Sequence, residues 1–318
     1  MFALHDFFAF CAFPYSHSAI RVKTTVWLCH VRMDSMQLSV GAVLIVLAVI
    51  LPIPYIRIIY IFLSRHKYRS LECYRIMAQI GIVQCVMAPG VFFYGLAHLC
   101  NQDILELGAT FMKVMTTAVR VEAMLSFVLS LNRLKIMCGL QYSSYVHLAV
   151  ALASCLFGIV YFVLLMTPYC DYLITPGLFL PEYDMSRPYT PLLAQVGSIA
   201  LVTTISLTLV SYFVIISYLL YLQKRSGKIP NFKQEKTILL YGLLRFLVDI
   251  TLAILFNYGN LPHRPWIDFP VFLGYISNNL FLPPVLYLCL YRQLRKEFFG
   301  IRSPVVVSVS TMLSGNKR

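Results

Sequence analysis

The sequence predicts an all-α polytopic membrane protein: a bundle of seven transmembrane helices followed by a short amphipathic eighth helix. Three observations carry this. With 59% hydrophobic and 12% charged residues and a mean hydropathy of +0.75, the chain has too little polar surface to coat a soluble globule of its size. Seven apolar runs reach the about 20 residues that cross roughly 30 Å of hydrocarbon as a helix. The basic residues of a chain with net charge +13 fall in short bursts between those runs, not in one patch or RNA-binding motif, so nucleic acid is not an expected partner.

The runs cover residues 39–62, 74–98, 107–131, 146–167, 193–221, 236–257 and 268–290. In lipid each must satisfy its own backbone groups, which leaves helices or a closed barrel, and the runs lack the period-2 alternation of barrel strands. Residues 1–36 come first. "MFALHDFFAFCAF" has no basic n-region and is interrupted by Asp6, so it is a poor signal peptide. The segment reads as an outer N-terminal stretch, or as an extension of a gene model whose start is Met33 or Met36. Residues 37–300 form the seven-transmembrane domain, with a long proline-rich loop over 167–191. In "YRQLRKEFFG", Tyr291, Leu294 and Phe298 share one face while Arg292, Arg295 and Lys296 turn away, the pattern of a helix lying along the inner leaflet. Residues 301–318 follow as a cytoplasmic tail.

Orientation follows from the lysines and arginines. The segments 63–75, 132–145 and 222–236 with the tail hold 17 of them; the N-terminal segment and the opposite loops hold 5. Basic residues near helix ends favour the cytoplasm, so the richer side is inside and the N-terminus outside. The same charge draws the inner face to anionic lipid or an acidic partner surface.

Two motifs lie at the inner ends of helices. "LNRLK" closes the third run with Asn132 and Arg133. By themselves Arg133 and Lys135 also read as residues snorkelling to the interface. "NNLFLPPVLY" in the seventh run offers Asn279, Pro284 and Tyr287, where proline removes a backbone hydrogen bond and permits two arrangements of the helix. At the outer ends, Cys100 and Cys170 are on the oxidising side, where a disulfide is chemically allowed.

Seven helices with these motifs resemble the G-protein-coupled receptors. In that superfamily an arginine at the inner end of helix 3 follows an acid, an asparagine, proline and tyrosine close helix 7, and a disulfide ties the long outer loop to the bundle. "CYRIMAQIGIVQC", "LSLNRL" and "LPPVLYLCLYRQLRKEFF" further resemble the serpentine receptor class T family of nematode chemoreceptors, over roughly residues 39–300. The resemblance implies a chemosensory receptor of the plasma membrane in sensory cilia, with a heterotrimeric G-protein at the cytoplasmic face, a small-molecule ligand and no cofactor. It also implies that Asn132, Arg133, Asn279, Pro284 and Tyr287 belong to the switch and that Cys100 bonds Cys170. Two departures stand out. Gln84 occupies the place of a usual helix 2 acid, and no acid precedes Arg133.

Ionisable residues at membrane depth are expensive and point to function. Arg245 and Asp249 are four apart on one helical face. Lys113 and Arg120 project together from the third run, with Glu122 roughly opposite. We expect Lys113 to face the bundle cavity, and Arg120 or Glu122 to join Arg245 and Asp249 in a buried network that either binds ligand or clamps helices. Tyr94, Thr116, Phe256, Tyr258 and Tyr275 in the outer halves suit an aromatic cavity for a small organic ligand. Enzyme motifs HExxH, GxxxxGK[ST] and GxSxG are absent, and the seven histidines lack metal-ligand spacing. The rival reading is a transporter or channel with the intramembrane charges along a substrate path, although the paired, interrupted repeats of transporters are not evident.

Overall fold

The computed structural model describes residues 35–226, 242–252, 254–255 and 265–300. Among them, six helices are long and apolar enough to cross a membrane: α1 (Ser35–Ser64), α2 (Glu72–Cys100), α3 (Ile104–Cys138), α4 (Tyr145–Leu165), α5, which continues from Thr190 to Ser226, and α7 (Trp266–Leu290). The helix at 242–252, α6, falls inside the sixth predicted run, whose two ends lie outside the described residues. With it the architecture is the expected seven-helix bundle. The segment 1–36, apart from its last two residues, and the tail 301–318 also lie outside the described residues.

Several helices run further than their apolar runs. α3 extends seven residues past the predicted end at 131, so Arg133 sits within its last two turns and Gly139 closes it in a left-handed conformation (φ 64°), which glycine adopts without a Cβ penalty. The polar residues that end the hydropathy signal are compatible with helix as long as their side chains find partners. α1 and α2 bend where proline enters: Pro52 and Pro54 open the second half of α1, and Pro89 the second half of α2. α7 holds a π-helical turn, Ser277–Phe281, in which the Leu282 N–H reaches back to the Ser277 carbonyl. Pro283 and Pro284 follow at once and supply no N–H of their own, so the wider turn absorbs the mismatch ahead of them.

Two hydrophobic clusters fill the interior. One, at the end of the bundle that bears Arg133, joins Tyr55, Phe62, Met77, Val128, Tyr287 and Leu294; the other, at the end bearing the 166–189 loop, joins Leu44, Val91, Tyr94, Met112 and Phe272. We call these the basic end and the loop end. α8 (Arg292–Phe298) lies across the basic end as expected, with Leu294 buried and Arg292 and Arg295 exposed. Arg57 stacks 4.8 Å over Phe298, and Tyr68 donates to Glu297 at 3.3 Å. Burial first, and the Glu297 carboxylate second, push the Tyr68 phenol above its ordinary range, so it remains a donor. At the loop end, β1 (Tyr172–Leu173) and β2 (Glu182–Tyr183) pair antiparallel, Tyr172 opposite Tyr183. This hairpin falls inside a segment expected to be irregular.

Apolar surface gives helices no reason to associate in lipid, so close contacts at small residues carry much of the packing. Gly41 of α1 and Gly95 of α2 meet backbone to backbone: a Cβ on Gly41 would stand 2.8 Å from the Gly95 carbonyl oxygen, and one on Gly95 2.9 Å from that of Gly41. Gly95→Val is expected to force α1 and α2 apart, costing about 1–3 kcal/mol as overpacking does. The check is a lower thermal midpoint of the detergent-solubilised protein; an unchanged midpoint would refute the contact.

Candidate functional site

α3 carries three polar layers, one above another along the bundle. At the loop end a cavity of about 540 Å³, part of it open at its mouth, is lined by Met112, Met115, Thr116, Arg120, Tyr172 and Tyr275 among others. The Arg120 guanidinium is 7% exposed. It donates to the Thr116 carbonyl at 2.6 Å, to Thr116 Oγ1 at 3.0 Å and to the Tyr183 hydroxyl at 2.7 Å, and lies 4.7 Å over the Tyr161 ring. Of the aromatic residues expected here, Thr116's neighbour Tyr275 lines the cavity, whereas Tyr94 donates to the Leu178 carbonyl at 2.8 Å and so holds the loop. Phe256 and Tyr258 lie outside the described residues.

Half-way along, a second cavity, partly open, surrounds Glu122, Arg245, Asp249, Asn278 and Asn279. Arg245 of α6 donates to Glu122 of α3 at 2.7 Å and lies 3.6 Å from Asp249 one turn on. Ser126 donates to Glu122 at 2.7 Å, and Asn278 of α7 to Asp249 at 2.5 Å. With its amide oxygen facing α6, Gln84 accepts from Arg245 at 2.5 and 2.9 Å, and its amide nitrogen donates to Tyr55. The network therefore takes Glu122 and not Arg120, which the spacing along α3 left as alternatives. The guanidinium of Arg245 sits against the Gln84 amide.

At the basic end Arg133, 9% exposed, has Cys73, Tyr74, Tyr212 and Tyr291 as its polar neighbours, and its Nε finds no hydrogen-bond partner among the described residues. Asn132 donates to Glu72 Oε2 at 3.0 Å. Glu72 also meets His147 Nδ1 at 3.0 Å and accepts from Ser144 at 3.3 Å, while Tyr142 donates to the Leu131 carbonyl at 3.0 Å and meets His147 Nε2 at 2.8 Å. α2 thus brings a carboxylate to position 132. Sequence reasoning passed over Glu72, His147 and Tyr142, though Glu72 is the one acid in the basic stretch 63–75. In α7, Asn279 donates to the Tyr275 carbonyl at 2.9 Å, Pro284 is buried, and Tyr287 is fully buried between Tyr55 and Phe62.

The expected disulfide is not formed. Cys100 is exposed at the end of α2, and Cys170 is a free, buried thiol packed with Tyr161, Leu165 and Leu193 of α4 and α5. Its side chain fills that cluster as a small hydrophobe. The loop is held instead by the adjacent Asp171, which pairs with Lys113 of α3 at 2.9 Å. Lys113 therefore reaches the loop carboxylate at the loop end of α3. His98 and Tyr183 add contacts to Gly177 and Thr116. Among the described residues no group of three or more His, Cys, Asp or Glu is placed to hold a metal ion.

No protein-family model matches this chain, and no curated protein does. Among solved structures, the crystal structure of squid rhodopsin superposes with a TM-score of 0.67 over 90% of this chain and 91% of that one, at 11% sequence identity. The likeness is one of fold: a multi-pass membrane bundle of the rhodopsin type.

Two predictions follow from these pairings. Glu122→Ala leaves a buried guanidinium short of its strongest partner and is expected to cost about 3–5 kcal/mol, part of which Glu122→Ala with Arg245→Met restores by removing both charges; thermal midpoints of the single and double variants decide. Asn132→Asp sets a second carboxylate against Glu72, so it is expected to lower the midpoint, and Glu72→Gln in the same chain to raise it again. A stabilised Asn132→Asp would show that Glu72 is not the partner of this position.

Proposed function

We propose that this chain is a G-protein-coupled chemosensory receptor of the plasma membrane, its N-terminus extracellular and its basic end cytoplasmic, in which a small molecule at the loop end shifts the bundle between two arrangements. One observation carries the proposal. The loop-end cavity and the cavity around the ionic network share a wall of Val119, Leu201 and Tyr275, and Tyr275 donates to the Leu252 carbonyl of α6 at 3.1 Å. A ligand against that wall bears on α6, the helix that Arg245 ties to α3 and Asn278 ties to α7. Glu122, Arg245 and Asp249 pair with one another and Lys113 with the loop, which favours a clamp over a substrate path.

Occupancy matters only insofar as the ligand binds the open form better than the closed one. When the contacts of α6 with α3 and α7 rearrange, the surface around Arg133, Tyr212 and Tyr291 opens to a heterotrimeric G-protein. Glu72, Asn132 and His147 hold the closed form at that end, the role that an acid before the arginine has in the wider superfamily. The π-turn ahead of Pro283 and Pro284 gives α7 a place to bend. The resemblance to class T serpentine receptors supports environmental chemicals as the ligand class and sensory cilia as the location.

The measurement is nucleotide exchange on a heterotrimeric G-protein by the full-length receptor in lipid nanodiscs, across a panel of volatile and water-soluble compounds, with solute flux in proteoliposomes alongside. At least one compound is expected to raise exchange. Arg133→Ala is expected to reduce the stimulated rate on the order of tenfold, a coupling of about 1.4 kcal/mol. Compound-driven flux without exchange would overturn the receptor reading.

A further inference from the structure

We propose that the loop-end cavity takes a small organic monoanion, a carboxylate with an apolar body, and that Arg120 is its counter-charge; the proposal rests on the receptor reading of that cavity. Arg120 is a guanidinium at membrane depth with 7% of its surface exposed. Its hydrogen-bond partners are the neutral Thr116 and Tyr183, and its ring contacts are Tyr161 at 4.7 Å and Tyr183 at 6.0 Å. Its Nε finds no partner, and among the described residues no carboxylate lies within ion-pair distance. Buried charges in proteins are normally paired, since an isolated one forfeits its hydration. Two other intramembrane bases follow that rule: Lys113 has Asp171, and Arg245 has Glu122 and Asp249. Arg120 departs from it, as Arg133 does at the basic end, and of these two Arg120 lines a cavity.

The site is built around this guanidinium. Opposite it α5 presents Gly197, where even a single Cβ would stand 2.4 Å from Arg120 Nε and 2.6 Å from the Tyr161 hydroxyl. The hydroxyl of Tyr183, on the β-hairpin over the cavity, lies 2.9 Å from that of Tyr161. Neutral tyrosines and a threonine orient the cation without cancelling its charge. The chemistry of the remaining wall sets the rest of the ligand. Met112, Met115, Val119, Leu180 and Phe272 are apolar, and among the described residues no second base lines the cavity. One guanidinium balances one negative charge, which favours a monoanionic carboxylate over a dianionic phosphate, and a planar carboxylate suits a guanidinium fork. The apolar wall selects an alkyl or aryl body.

The probes are hexanoate, octanoate and 3-phenylpropanoate, each beside its methyl ester, with the full-length receptor in nanodiscs. Binding is read as a concentration-dependent rise in thermal midpoint, and nucleotide exchange on a G-protein is read separately. At least one acid is expected to bind, with its ester roughly 10- to 100-fold weaker, the span expected when a charge-assisted pair is lost. Arg120→Gln is expected to erase the difference between acid and ester, Arg120→Lys to keep part of it, and Gly197→Ala, which unseats the guanidinium, to weaken the acid more than the ester. Esters that bind as well as the acids, the absence of binding by every acid, or undiminished discrimination in Arg120→Gln would each overturn the anion site. Should Arg120→Gln fail to fold, the acid and ester comparison on the unaltered chain decides alone. An acid that binds through Arg120 without raising exchange keeps the anion site and overturns the receptor reading; a neutral compound that raises exchange while no acid binds does the reverse.

Discussion

The contact between Glu122 and Arg245 is the interaction on which the rest of the bundle depends. Lipid offers apolar helix faces no hydrophobic reason to meet, and it offers a charged group no hydration. A glutamate on α3 and an arginine on α6 therefore have one economical arrangement, with α3 and α6 side by side at a depth set by the pair. Asp249 and Asn278 extend the constraint to α7, and Gln84 with Tyr55 extends it to α2 and α1. Five helices are fixed in depth relative to one another by one polar cluster. Replacement by well-packed apolar residues of similar volume often costs little in stability, so what the cluster contributes above all is register.

The relocation of two other restraints follows the same physics. Arg133 has no acid beside it in the chain, and Glu72 brings a carboxylate to the neighbouring Asn132 from α2. At the loop end Lys113 and Asp171 join α3 to the loop where a disulfide was expected. An ion pair partly open to solvent is weaker than a covalent bridge and responds to salt. The loop over the cavity is thus tethered here by a non-covalent contact.

The helices were legible because length and apolarity are local properties: seven runs sufficed to place them. What the sequence concealed were partners that local reading cannot rank. Helical geometry put Arg120 and Glu122 on opposite sides of α3, but which side faces α6 is decided by packing across 123 residues of chain. Cys170 was read through its redox compartment, and its burial against Tyr161 and Leu193 lay outside that argument. Glu72 was passed over because four bases surround it in sequence, and its function depends on Asn132 and His147, which reach it only in the folded bundle. The π-turn in α7 gives no signal beyond the paired prolines after it.

In the receptor reading proposed above, loop-end occupancy and the ionic cluster meet at one wall, and this decides how a weak ligand would shift a strong network. A ligand does not need to break the pair between Glu122 and Arg245 outright. It needs only to favour the position of Tyr275, Val119 and Leu201 that belongs to the other arrangement, and a differential affinity of about 5.5 kcal/mol carries a two-state equilibrium from one extreme to the other. The two arrangements must therefore already lie within a few kcal/mol, which is incompatible with an ion pair of fixed, unshared partners. Arg245 has Glu122, Asp249 and Gln84 within reach, so it can exchange one partner for another without being stripped of all of them. A shared guanidinium would keep the charge satisfied in both arrangements of the proposed switch, and so would let α6 move at membrane depth.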